Sequence, residues 1–256
     1  MSTAPGTSRR LPWLQPGDPF PDVTTAWTVT DPAPGLLAGG GDLSVDTLQR
    51  AYRQGIFPWF SDDQPILWWS PDPRMVLDVS DFRLHRSLRK TLHKFIATPG
   101  CEIRVDHDFQ AVIQACAGTP REGQAGTWIV DAMVDAYAAL HRAGLAHSVE
   151  TWVDGELCGG LYCVAIGRAV FGESMFAHRT DASKLALAAL VALCRAQGAT
   201  RIDCQQNTRH LASLGAHEVG RDAFVAQLAR DTGQSPLQWR FEPVYWMQLL
   251  NASAPA

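Results

Sequence analysis

The chain has 256 residues, 46% hydrophobic and 19% charged, with a net charge of −4 and a pI near 6.0. That length holds one large domain or two small ones, and the balance is that of a globular enzyme, not a disordered or fibrous chain. The acidic total excludes a globally basic nucleic-acid binder, so any such contact has to be local. The longest apolar run, 185–194, is too short to span a bilayer. The first twenty residues contain no signal-peptide h-region. The six cysteines show no CxxC spacing and mostly sit in apolar runs, which predicts reduced thiols and a cytoplasmic protein.

Residues 1–35 read as irregular chain anchored by Trp13, Phe20 and Trp27. Gly39-Gly40-Gly41 lacks the GK[ST] that completes a phosphate loop, so these are turn glycines. Ser44 is placed to cap a helix over 45–54, and Gly55 to stop it. Two aromatic runs follow, IFPWF at 56–60 and ILWWSPDPR at 66–74, with a turn between them. Their tryptophans, Trp59, Trp68 and Trp69, form either a small aromatic core or a platform on which a base stacks. Composition favours the core.

Residues 75–79 read as a strand. The stretch 82–95, FRLHRSLRKTLHKF, is the one strongly basic segment, with no acid before Glu102. At helical spacing Leu84, Leu88, Leu92 and Phe95 share one face, while Arg86, Arg89, Lys90, His93 and Lys94 share the other. A charge run is commonly just a solvated face; the missing counter-charges make an anionic partner the competing reading.

A strand over 101–105 and a helix over 108–117 come next. A loop then leads to Thr127-Trp128-Ile129, followed by a helix over 130–142 closed by Gly144. Residues 147–176 read as a three-stranded meander turning at Asp154-Gly155. A helix over 182–197 stopped by Gly198, a strand over 201–205 and helices over 208–214 and 222–229 complete the compact part, leaving a loose Pro- and Ala-containing tail.

This order predicts an α+β protein: a small N-terminal α+β domain over 1–78, then over 79–256 a GNAT-like (N-acetyltransferase-type) domain with a mixed, largely antiparallel sheet. The coenzyme A loop of that fold, [RQ]xxGx[GA] at the start of a helix, has its nearest match at Arg195–Thr200. That match fails at its last position and ends a helix instead of opening one. Gly198 is better read as a C-cap.

Within 171–205 three polar groups, Glu173, Asp203 and Gln205, interrupt runs otherwise suited to buried strands. A buried carboxylate without a partner costs several kcal/mol. Each carboxylate is therefore either structural, as half of an ion pair or as a cap, or part of an active site at the carboxyl ends of strands.

Several runs taken together resemble the bacterial leucyl/phenylalanyl-tRNA–protein transferase family over roughly residues 36–230: AYRQGIFPWF, ILWWSPDPR, GTWI, FGESMF, DASK, IDCQ and HLASLGA. The resemblance implies transfer of Leu, Phe or sometimes Met from its tRNA to the N-terminal Arg or Lys of a protein, marking it for degradation. It also implies a monomer needing no metal, ATP or coenzyme A. By the same resemblance Trp59 and Trp128 sandwich the terminal adenosine, with Tyr52 and Tyr137 nearby. Met175, Leu187 and Ile202 wall an apolar slot for the donor side chain. Leu161 and Leu190 stand where another member has Met and Phe, and Val170 where it has Phe. Glu173, Asp203 and Gln205 match the polar centre. A buried Asp203 with a raised pKa would draw a proton from the attacking amine. Gln205, two residues on in a strand, would share its face and orient the amine or the ester carbonyl. Glu173 would pin a substrate amino group. Arg86, Arg89, Lys90 and Lys94 would hold the acceptor stem through its phosphates. The alternatives are a coenzyme A-dependent N-acetyltransferase, a non-catalytic tRNA-binding adaptor, and an aminoacyl-tRNA transferase acting on cell-wall precursors.

Overall fold

The computed structural model describes residues 10–119 and 129–251. In chain order it forms β1 (Trp13–Leu14), β2 (Leu36–Gly40), α1 (Val45–Arg53), β3 (Phe57–Pro58), β4 (Leu67–Trp69), β5 (Arg74–Asp78), α2 (Arg86–Ala97), β6 (Cys101–Val105), α3 (Phe109–Ala117) and α4 (Asp131–Arg142). There follow β7 (Ala146–Val153), β8 (Glu156–Ile166), β9 (Ala169–Ala177), α5 (Ala182–Gln197), β10 (Arg201–Gln205), α6 (Arg209–Ser213), β11 (His217–Val219), α7 (Arg221–Asp231) and α8 (Met247–Leu250).

The caps at Ser44 and Gly198 fall where the sequence puts them. The Ser44 side chain accepts from the Thr47 N–H at the start of α1; at α3 Asp108, expected inside the helix, stands before it as a cap accepting from the Ala111 N–H. Gly198 ends α5 in the left-handed region at φ 77°, which glycine adopts without the Cβ penalty other residues incur. The basic helix starts at Arg86, later than the hydrophobic pattern suggests, because His85 is already extended and leaves Leu84 outside.

Two sheets result, one of four strands in the order β1-β2-β4-β3 and one of seven in the order β11-β5-β10-β9-β8-β7-β6. Every neighbour in the larger sheet is antiparallel except β9 and β10, which α5 joins as a parallel pair. A meander followed by one parallel crossover is the mixed, largely antiparallel layout expected of the N-acetyltransferase-type reading. β5 pairs with both β10 and β11. Residues 74–78, placed with the N-terminal part in the sequence reading, are therefore a strand of the seven-stranded sheet.

The larger sheet is buried on both faces, which is why β8 reads as a continuous apolar run. Tyr162, Val164 and Ile166 face a core that also contains Leu37, Tyr52, Trp68 and Tyr137, so the small sheet shares a core with α3 and α4. Leu161 and Cys163 face a second core built on α2, α5 and the C-terminal segment. α5 is buried all round from Leu185 to Cys194. Its far side is covered by Leu237, Trp246 and Leu249, so residues 232–251 belong to the compact part, which the sequence pattern ends at 229. The loose tail expected after 229 is thus corrected as far as 251, and its last residues, 252–256, lie outside the described residues.

Candidate active site

Parallel strands β9 and β10 pair only at Ile202 with Val170 and at Asp203 with Phe171. Beyond that point they part, and each carries a bulge. On β9 the ladder to β8 jumps from Cys163–Gly172 to Tyr162–Ser174, so Glu173 is the extra residue. On β10 the ladder to β5 jumps from Asp203–Val76 to Gln205–Met75, so Cys204 is the extra residue, and Gln205 takes φ 56°. Bulges re-aim side chains. Here they turn Glu173 and Gln205 toward each other across the gap, with Gln205 Nε2 3.3 Å from Glu173 Oε1.

A cavity of about 640 Å³ opens in this wedge. Its apolar wall comes from Leu161, Met175, Leu187, Leu190 and Ile202, and its polar end from Glu173 and Gln205. Trp59 stands on its N-terminal side. The β4 side chain of Trp69 meets Trp59 edge-on at 5.4 Å and donates Nε1–H to the Trp59 carbonyl at 2.7 Å, fixing it in place. Trp68, in contrast, is fully buried and packs edge-on against Phe20. The three tryptophans thus divide: Trp68 is core and Trp59 is available at the cavity.

Glu173 is held from behind. Tyr52 Oη donates to Oε1 at 2.8 Å and Tyr137 Oη to Oε2 at 3.0 Å, while the two hydroxyls lie 2.5 Å apart. Both tyrosines are fully buried and neither lines the cavity; their hydroxyls touch the Glu173 carboxylate that does. Burial pushes the Glu173 carboxyl up to about 7 against the opposing pull of the tyrosine hydroxyls. Burial, and next the Glu173 charge, raises both tyrosines well above their ordinary value, so they remain donors.

Asp203 is only 2% exposed and does not line this cavity. Arg74 Nε donates to Oδ1 at 2.8 Å and Nη2 to Oδ2 at 2.7 Å, and the Gln205 N–H adds a 3.0 Å bond to Oδ1. Both carboxylate oxygens are thus engaged inside the protein. The choice posed for the two carboxylates is split between them: Asp203 is half of a buried ion pair, and Glu173 faces the cavity. The strand rule that sends Asp203 and Gln205 to the same surface fails because of the bulge between them.

Val170 lies in the core beside Ile202 but is not a wall of the cavity. Arg86, Lys90 and Lys94 are exposed on α2. Arg89 is half-buried, with Nη1 3.5 Å from the Leu250 carbonyl. None of the four lines the cavity. The α2 helix is tied to the start of α5 through Asp181, which accepts from Thr91 at 3.3 Å and pairs with Lys184 at 2.8 Å. Trp128 lies outside the described residues. The Arg195 guanidinium donates to the carbonyls of Val79, Ser80 and Gln248, so the segment resembling a coenzyme A loop is a structural helix end. Among the described residues, Asp78, Asp81 and His217 could converge on a metal ion. Asp78 already receives Arg201 at 2.6 and 3.0 Å, and none of the three lines the cavity.

Sequence reasoning passes over Phe57, Ser174, Gln206, Thr208 and His210, which also line the cavity. It also passes over Arg74, the residue closing the 66–74 aromatic run. His210 sits at the cavity with its imidazole held below the ordinary value, first by burial and then by the Lys184 charge.

A family model described as leucyl/phenylalanyl-tRNA protein transferase matches residues 76–229, and the model of its N-terminal domain matches 41–72. The chain belongs to the leucyl/phenylalanyl-tRNA–protein transferase family. A protein of that name from Polaromonas sp. is 63% identical over 247 residues, covering 96% of this chain and 97% of its own. One from Albidiferax ferrireducens is 61% identical over 241 residues, covering 94% and 95%. Among solved structures, a GCN5-related N-acetyltransferase from Kribbella flavida is similar at a TM-score of 0.33 and 14% identity, covering 67% of this chain and 60% of that one. Leucyl/phenylalanyl-tRNA–protein transferases are aminoacyltransferases, and the gap between the two family matches, 73–75, falls at the start of β5, where the large sheet begins.

Proposed function

We propose that this aminoacyltransferase moves Leu, Phe or Met from aminoacyl-tRNA onto the N-terminal Arg or Lys of an acceptor protein, creating a terminus that marks it for degradation. What carries the reading is the wedge itself: an apolar slot that ends at a carboxylate titrating near neutrality, with an aromatic ring at its side.

The slot formed by Leu161, Met175, Leu187, Leu190 and Ile202 takes the donor side chain. A hydrophobic pocket separates ligands by about 1–3 kcal/mol per methylene, which suits an enzyme accepting several bulky apolar donors. Trp59 stacks on the terminal adenine, a contact worth about 1–3 kcal/mol without regard to sequence. The basic face of α2 holds the acceptor stem through phosphates.

The acceptor must attack as a neutral amine. Glu173, with a pKa near 7, is suited to accept the proton that the nitrogen sheds as it bonds to the ester carbon. The Gln205 amide is within reach of the same carboxylate and can turn its N–H to the carbonyl oxygen as charge develops there. When the tetrahedral intermediate collapses, the ester C–O bond breaks and the proton passes to the ribose hydroxyl that leaves. Holding amine and ester together supplies much of the rate, because the ester is already activated.

The test is incubation with radiolabelled Leu-tRNA and two peptides, one beginning with Arg and one with Ala. Label on the Arg peptide alone is the expected result. Transfer to neither, or to both equally, overturns the proposal.

A further inference from the structure

Arg74 is the most deeply buried cation among the described residues, 1% exposed, and does not itself line the cavity. Its forked end binds both Asp203 oxygens, and Nη1 donates to the Gly55 carbonyl at 3.0 Å. The rings of Phe57 and Phe224 cover its two sides at 4.8 and 4.7 Å from the guanidinium carbon. Each partner leads to a wall of the wedge. Asp203 accepts the backbone N–H of Gln205, a residue in the left-handed region at φ 56° that needs an external anchor to stay there. Gly55 begins the segment that passes through Phe57 to Trp59, both at the cavity.

We propose that Arg74 is a positioning residue for the transfer reaction, a buried strut that fixes the Gln205 bulge through Asp203 and the Phe57–Trp59 wall through Gly55. The proposal rests on the transfer activity argued above. It explains why a fully desolvated ion pair stands where apolar side chains of similar volume would serve stability as well or better. A planar, bidentate and stacked guanidinium is also what lysine cannot replace. The proposal recasts Asp203 as well: its carboxylate acts through the Gln205 backbone and not on the amine.

Removing one partner leaves a buried unpaired charge, so Arg74→Met or Asp203→Val alone is expected to damage folding. The informative protein is the double variant Arg74→Met/Asp203→Val, which removes the charges together. It is expected to unfold cooperatively at a Tm close to that of the wild type. Amide hydrogen exchange at Gln205 should accelerate sharply, because its acceptor is gone. Turnover should fall about 100-fold, the scale of a 1 Å misplacement, with a smaller change in KM for aminoacyl-tRNA. A double variant that folds and transfers at the wild-type rate overturns the inference and leaves the pair purely structural. Unchanged exchange at Gln205 overturns it too, whatever the activity. If the double variant fails to fold, Arg74→Lys decides: it keeps the charge but loses the fork, and wild-type turnover in that protein overturns the inference. A wild-type protein that labels neither peptide defeats the proposed function, while the exchange readout still judges the strut.

Discussion

Glu173 is where the sequence, the geometry and the chemistry meet most closely. Its pKa is raised from 4.5 to about 7 in the folded protein, because burial outweighs the two tyrosine hydroxyls that favour the ionised form. Between those values the native state holds a proton that the unfolded chain has lost. Stability contributed by this group is therefore lost as pH rises from about 4.5 through about 7, and above that the full cost, roughly 3 kcal/mol at 1.36 per pH unit, is present. Glu173→Gln should abolish that cost, making the variant more stable than the wild type at about pH 8 in urea titrations. The same change should remove the rise in transfer rate centred near pH 7, leaving only the titration of the acceptor amine near 8. Single-turnover rates between about pH 5.5 and 8.5 read this out; an E173Q protein with an unaltered profile would falsify the role given to the carboxylate. Trp59→Ala makes a contrasting prediction. It should raise KM for aminoacyl-tRNA by roughly 10- to 100-fold, the loss of one stacked base, with little change in pH dependence.

At the scale of elements, most of the layout is legible in the sequence and the site's geometry is not. Ser44 and Gly198 cap the helices they are expected to cap, and the Asp154-Gly155 turn sets the meander, because caps and turns are local chemistry. The bulges at Glu173 and Cys204 leave no trace in the apolar alternation, yet they decide which polar group faces the wedge. Nor can spacing reveal that Asp203 is paired with a residue 129 positions away. Tyr52 and Tyr137 do gather around one centre, but only the folded geometry distinguishes a group that touches the cavity from one that supports it. Helix α2 illustrates a prediction that belongs to an element. Leu88, Leu92 and Phe95 are buried while Arg86, Lys90 and Lys94 are exposed, so the cations add little to folding and are free for phosphates. Arg86→Ala/Lys90→Ala/Lys94→Ala should leave Tm nearly unchanged and weaken tRNA binding at low salt. It should also flatten the dependence of log Kd on log salt by up to about one slope unit for each phosphate no longer neutralised. Equal affinity and slope for the triple variant and the wild type would show that this face is only solvated.

For the molecule as a whole, the cavity exists because two cores press on opposite faces of one sheet and meet where β9 and β10 separate. One core brings Phe57 and the Glu173 carboxylate with its tyrosines; the other brings Leu161, Leu187, Leu190 and Ile202. The wall formed by α5 therefore depends on what covers its far side, and that is the segment after α7, beyond the reach of the family match at 229. Leu237, Trp246 and Leu249 are all buried there. At about 1.5–3 kcal/mol for each buried apolar side chain, removing the three costs on the order of 5–9 kcal/mol, comparable to the whole stability of a typical domain. A chain ending at Asp231 should consequently keep helical far-UV signal but lose near-UV ellipticity, bind ANS and transfer no amino acid. Trp246→Ala should reproduce part of this as a loss of about 3–5 kcal/mol, with the remaining activity tracking the folded fraction. A truncated protein that still melts cooperatively at the wild-type temperature would mean that α5 holds its cavity face without support from behind.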